Sequence, residues 1–168
     1  MKLDSLSPVE TYWHSFLATL PPDSPYRFRS FIAESFGDNP ALADELGALV
    51  LSGFKTGTCS ALWEWEAEVK PIPVPGLICI MLDGREEPLC IIETIDVVIR
   101  RFDEVDEAFA RSEGEGDRSL DDWRRGHRAF FSRTLPLISR SFSESMPLVC
   151  ETFKVIHRWK PSTEGHGF

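Results

Sequence analysis

The apolar residues Val9, Trp13, Phe16, Leu17 and Leu20 recur at helical spacing, and Pro21 and Pro22 stop the pattern. That spacing predicts one amphipathic helix. The aromatic, mixed stretch "DSPYRFRSFIAESFGDNP" predicts a short helix or an irregular wrap that ends at Gly37. A cleaner signal follows: Asn39 can cap a helix with Pro40 at its first position, running through Leu42, Leu46, Leu49 and Val50 to Gly53. From Thr58 the period changes to two. Cys59, Ala61, Trp63 and Trp65 then share one strand face, with Ser60, Leu62, Glu64 and Glu66 on the other.

"LICIML" and "LCIIET" flank "DGREEP", where Asp83-Gly84 is a good turn former, and the pattern predicts a hairpin. "IDVVIRRF" is a further strand, and "LVCETFKVIHRW" closes the sheet. Between those two strands lies a helical insert broken at "SEGEGD", whose second helix starts at Ser119 with Asp122 placed for a capping box. Five or more mostly antiparallel strands fit a small β-barrel of the α+β class, with N-terminal helices and a two-helix insert. The chain divides into a helical extension over 1–36 packed on the barrel, a main domain over 37–160, and a loose tail over 161–168.

A net charge of −9 argues against a broad basic surface for duplex DNA, because nonspecific affinity there comes largely from Lys and Arg on phosphates, and leaves room only for a small local basic site. No window approaches the roughly 18 apolar residues of a membrane span, and the first residues lack a signal-peptide core, so a cytoplasmic location is expected. Cys59, Cys79, Cys90 and Cys150 each fall in a predicted strand without a CxxC pair, which points to buried free thiols.

Candidate chemistry gathers at two places. Lys55 sits two residues past the helix-ending Gly53, and Thr58 opens the next strand. A cation at a helix C-terminus and a threonine in a strand also have plain structural uses. The second place is "EGEGD", where Glu113, Glu115 and Asp117 lie on a glycine-rich loop that lets backbone approach a ligand. These three carboxylates are hard oxygen donors that suit Mg²⁺ or Mn²⁺, although no residue fixes a coordination shell and a metal site stays unassigned. Arg124 and His127 on the second insert helix can reach a cleft as phosphate contact or acid. Trp63 and Trp65 offer faces on which bases stack, with core packing the competing use.

The segments "ADELGALVLSGFKTGTCSALW" and "VDEAFARSEGEGDRSLDDWRRGHRAFF" together resemble the ASCH domain family, over about residues 37–158. The resemblance implies a PUA-like barrel with a cleft beside it, binding of RNA or a nucleoside, and hydrolysis in some members. It carries a catalytic set onto Lys55, Thr58 and Glu113, with Ser60 standing where short members commonly have an arginine. The expected activity is a ribonuclease preferring single-stranded RNA. The alternatives are an amidohydrolase of N4-acetylcytidine or a related modified pyrimidine nucleoside, and a non-catalytic RNA-binding module. The expected substrate contacts are Ser60, Trp63, Glu115, Asp117, Arg124 and His127.

Two proton arrangements stay open. Lys55 as a neutral base needs its pKa to fall by about 3 units from about 10.4, with Glu113 protonated. Otherwise Lys55 stays cationic and stabilises an oxyanion or phosphate while Glu113 is the base. Under either, Lys55 is expected to face a cleft and to be replaceable without much cost to folding.

Overall fold

The computed structural model describes residues 6–160, so the expected loose tail lies outside the described residues. Helix α1 (Pro8–Ala18) starts from Ser7 in a full capping box with Glu10. After a 3₁₀ turn (Pro25–Phe28) comes a three-residue strand, β1 (Ile32–Glu34), in the stretch expected to wrap irregularly. Helix α2 (Pro40–Ser52) begins with the Asn39 side chain accepting from Leu42 N–H and ends at Gly53, whose φ of 84° requires a residue free of Cβ strain.

Strand β2 (Gly57–Ala61) is shorter than its alternating pattern suggests. The chain turns into a short helix, α3 (Leu62–Ala67), so Trp63 and Trp65 lie on a helix and not on a shared strand face. The acids Glu64 and Glu66 among the tryptophans make this run equally readable as a helical turn. Strand β3 (Ile78–Leu82) and strand β4 (Pro88–Arg101) form the expected hairpin, with Asp83 Oδ1 accepting from Arg85 N–H and Glu87 N–H. The two runs expected as separate strands are one: β4 continues through a register irregularity between Thr94 and Asp96.

Helices α4 (Glu107–Glu113) and α5 (Leu120–Thr134) form the insert. Ser119 caps α5 by accepting from Asp122 N–H, while the Asp122 carboxylate accepts from Asp117 N–H and pairs with Arg125. Strand β5 (Pro147–Arg158) completes one sheet in the order β1-β3-β4-β5-β2, in which only β1 and β3 run parallel.

Both faces of this sheet are buried at its centre, which is why β3 and the first half of β4 read as unbroken apolar runs. Ile78, Ile80 and Ile91 pack on Tyr12, Trp13 and Phe16 of α1. Cys79, Met81, Cys90 and Ile92 face the other way, onto Val50 of α2 and Phe153. A third cluster seats Phe109, Trp123 and Phe131 of the insert on Ala61, Leu148 and Cys150. The sheet curls into a half-barrel, and its two edge strands, β1 and β2, face each other across the remaining seam: Glu34 of β1 and Thr58 of β2 line the same cleft.

Candidate functional site

The loop after α2 meets the last turn of α4 and the glycine that follows it, backbone to backbone. Thr56 N–H donates to Ser112 O at 2.7 Å, and a Cβ at Gly114 would collide with the Phe54 carbonyl. This contact delivers Lys55 and Glu113 to one buried point. Lys55 Nζ lies 3.6 Å from Glu113 Oε2 and donates to Glu113 O at 3.4 Å, and both side chains are 2% exposed. Lys55 therefore does not line an open cleft, and the helix-end signal that located it in the sequence carries no information about this depth.

His127 completes the cluster from α5. Its Nδ1 lies 2.9 Å from Trp123 O and its Nε2 lies 2.9 Å from Glu113 Oε2. Both partners accept only, so both ring nitrogens must donate and the ring is an imidazolium. Burial opposes that charge, but the Glu113 carboxylate outweighs it and raises the His127 pKa. Burial alone would raise Glu113 too. The charges of His127 and Lys55, with the hydrogen bond from His127, hold its carboxyl well below the usual range instead. Trp123 stacks flat on the imidazolium at 4.2 Å between ring centres. Glu115 lies 3.6 Å from His127 Nε2, and burial, outweighing the pull of Lys55, raises its pKa. Lys55, His127, Glu113 and Glu115 thus gather at one point, with Glu113 Oε1 buried and without a hydrogen-bond partner among the described residues.

Among the described residues, one set of three potential metal donors comes together: Cys59, Glu113 and His127, with ligand atoms within 4.8 Å of one another. A thiol, an imidazole and one carboxylate do not suit Mg²⁺ or Mn²⁺, which take oxygen shells, and the Lys55 ammonium already supplies the positive charge at Glu113. The acids expected to bind metal do not form such a shell. Asp117 is exposed and its carboxylate accepts from Ser119 N–H in the α5 cap.

Thr58 is elsewhere. Strand alternation sends Cys59 toward Glu113 and Thr58 into the seam cleft, whose walls are Glu34, Phe36, Thr58, Trp65, Pro73, Leu77, Cys79, Ile92, Thr94, Glu151 and Phe153. Thr58 pairs directly with Glu151 across β2 and β5, and directly opposed side chains lie about 4.5–5.5 Å apart at Cβ. Thr94 Oγ1 donates to Glu151 Oε2 at 3.3 Å. Burial lifts the Glu151 carboxyl to about 7, against the Thr94 hydrogen bond and with the Glu34 charge adding to the rise. The free space in the cleft is about 10 Å³, room for about one water, so a larger occupant must displace a wall. One wall is the segment 69–77, which projects Val69 and Val74 into solvent and is tied at its end by Arg29, which donates to Gly76 O.

The other expected contacts are dispersed. Ser60 accepts from Trp65 Nε1 at 2.8 Å and so props the tryptophan that walls the cleft. Trp63 packs on the insert core, with the Arg140 guanidinium 4.8 Å above its ring. Arg124 is half-buried on α5 and forms no ion pair among the described residues. Glu34 and Glu151 were missed by sequence reasoning. Glu151 had a signal: in "LVCETFK" it falls on the same strand face as the apolar Val149 and Phe153.

A broad hollow of about 580 Å³ also opens beside Pro8, Glu87 and Trp159, but it gathers no comparable set of reactive groups.

Comparison with known proteins places this architecture. The model of the ASCH domain matches residues 32–157. The crystal structure of an ASCH domain from Lactobacillus crispatus JV V101 superposes with a TM-score of 0.84 at 28% identity, covering 94% of this chain and 100% of that one. A protein from Enterococcus faecalis V583 gives a TM-score of 0.82 at 35% identity, covering 96% of each chain. No curated protein matches the chain significantly. The match begins at β1, so that strand, outside the expected main domain, lies within the matched region. The chain belongs to the ASCH domain family, whose PUA-like fold is associated with RNA binding.

Proposed function

We propose that this protein hydrolyses the amide of an acylated pyrimidine nucleoside, of the N4-acetylcytidine type, in the seam cleft. One observation carries the reading: the walls contain two carboxylates, two threonines and the aromatic rings of Phe36, Trp65 and Phe153, and no Lys, Arg or His. A phosphodiester brought there would meet Glu34 and Glu151, and the walls themselves supply no cation to offset its charge; Lys70, whose charge reaches Glu34, is exposed and paired with Glu68. A neutral acylated base offers a π-face to the rings and its exocyclic N–H to a carboxylate. This reverses the order of the two hydrolytic expectations, in which single-strand cleavage came first, and the acidic net charge of −9 favours the same order.

Within this reading the Lys55–Glu113–His127 cluster acts as a positioning element. It locks the α4 end onto the residues that lead into β2, and so holds the strand from which Thr58 faces the cleft alongside Thr94. The test is incubation of purified protein with N4-acetylcytidine and, separately, with single-stranded RNA. Release of cytidine and acetate with intact RNA is expected. Fragmented RNA that survives removal of contaminating nucleases, with the nucleoside untouched, overturns the proposal.

A further inference from the structure

Resting on that reading of the cleft, we propose that Glu151 is the general base that activates Thr58, a catalytic role on the opposite face of β2 from Lys55 and Glu113. The geometry is local and specific. Thr58 and Glu151 are direct register partners on the two strands, and both side chains line the cleft. Among the described residues the Thr58 hydroxyl has no hydrogen-bond partner, and Glu151 has one, Thr94 on its Oε2. Its Oε1 is left to accept. Glu113 is unsuited to the task, since it meets the opposite face of β2 beside Cys59, and the charges of His127 and Lys55 lower its carboxyl so far that it is a weak base.

The step balances without a further reagent. The Glu151 carboxylate takes the Thr58 Oγ1 proton as that oxygen bonds to the acyl carbon. When the C–N bond breaks, the proton passes from Glu151 to the departing exocyclic nitrogen, giving the free amine and an acyl ester on Thr58. Water then attacks the ester as Glu151 takes its proton, and the proton returns to Thr58 as the acid leaves. A base must be ionised to act, and burial sets the Glu151 carboxyl at about 7, so the rate rises through neutrality. The titratable groups facing it are Glu34 from β1 and the buried thiol of Cys79 from β3; Thr94 from β4 is its hydrogen-bond donor, and Cys150 lies behind it on its own strand.

Two acyl donors separate this inference from the substrate reading: p-nitrophenyl acetate, which asks only whether Thr58 is activated, and N4-acetylcytidine. Wild type quenched in acid during turnover of p-nitrophenyl acetate should carry acetyl on Thr58, formed at a rate that climbs through pH about 7. Glu151→Gln should slow that step by about 10²-fold or more and flatten its pH profile. Glu151→Asp should recover part of the rate, and Thr58→Val should form no adduct. Equal acetylation in a Glu151→Gln variant that melts as a folded protein, or acetyl found only on other residues, overturns the inference. Turnover of N4-acetylcytidine that ignores Glu151→Gln also overturns it while leaving the substrate reading intact. Glu151-dependent acetylation of Thr58 with N4-acetylcytidine untouched supports the inference and removes the substrate reading.

Discussion

Two carboxylates flank strand β2, and their surroundings drive them in opposite directions. Glu113, on the insert side, is buried against Lys55 and His127 and is held ionised. Glu151, on the seam side, is partly buried with one neutral donor and another carboxylate nearby, and its affinity for a proton rises until it titrates near neutrality. Burial acts on both; the difference is whether a cation comes with it. A paired buried carboxylate fixes structure, and an unpaired one stays reactive. The contrast can be broken at either carboxylate, or at the residues that support each.

The largest effect is expected from Lys55→Ala. It leaves Glu113 buried beside His127 alone, and removing one partner of a buried pair costs about 3–5 kcal/mol. Urea unfolding at neutral pH measures it. The double variant Lys55→Met, Glu113→Leu should recover much of the loss, because it removes the stranded charge as well as its partner. A Lys55→Ala protein with unchanged stability would mean that the pair is not closed as described, and would return Lys55 to the class of solvated helix-end charges.

Next in size are two chemically identical substitutions with opposite outcomes. Glu113→Gln should destabilise the protein, since two neighbouring cations lose their carboxylate. Glu151→Gln should stabilise it above neutral pH. The folded-state value of Glu151 is about 7 against an ordinary 4.5, so deprotonation penalises the folded state increasingly between those values, by at most about 3 kcal/mol above pH 7. Below pH 4.5 the acid is protonated in both states and the gain should vanish. Melting temperatures at pH 4.5 and pH 8 distinguish the cases.

The fold was legible wherever local chemistry set it: the Asn39-Pro40 start and Gly53 stop of α2, the Asp83-Gly84 turn, and the Ser119 cap all act through residues a few positions apart. The candidate site was legible only in part. Lys55 and Glu113 were located, but depth is a tertiary property, and the resemblance that grouped Thr58 with them had no means of counting strand faces. Alternation from Cys59 to Thr58 separates the two, and β5 decides what each then meets. Glu34 was invisible because its three-residue strand, β1, is too short to show a period and exists by pairing with β3.

A smaller, pH-dependent effect sharpens the insert side. The His127 pKa is raised, so its contribution is fully present below the ordinary value of 6.5 and is lost as pH rises through the raised one. Glu113 is lowered, so its contribution is present above 4.5 and lost in acid. The contribution of this pair should therefore be greatest between these limits, while Glu151 draws the overall maximum toward their acid end. His127→Gln should flatten the alkaline decline and cost about 1.5–3 kcal/mol near pH 6, the usual range for a hydrogen bond to a charged group. Melting temperature followed across pH is the readout, and an unchanged alkaline slope in His127→Gln would assign that decline to another group.

The smallest expected effect tests the wall of the cleft through Ser60, the residue that stands where short members of the family commonly have an arginine. Its hydroxyl accepts from Trp65 Nε1 at 2.8 Å, and Trp65 in turn faces Thr58 across a space of about 10 Å³. Ser60→Ala deletes that acceptor without adding bulk, at about 1 kcal/mol of stability. The ring then loses the bond that fixes its plane, so binding should suffer more than chemistry. KM for the acylated nucleoside should rise several-fold while kcat and the titration near pH 7 stay as in wild type, because neither Thr58 nor Glu151 is touched. Trp65→Phe removes the donor instead of the acceptor and should give the same split with a somewhat larger rise in KM, having also lost ring area. If Ser60→Ala lowers kcat as strongly as Glu151→Gln, the hydroxyl belongs to the reacting groups and the cleft's chemistry extends one residue further along β2.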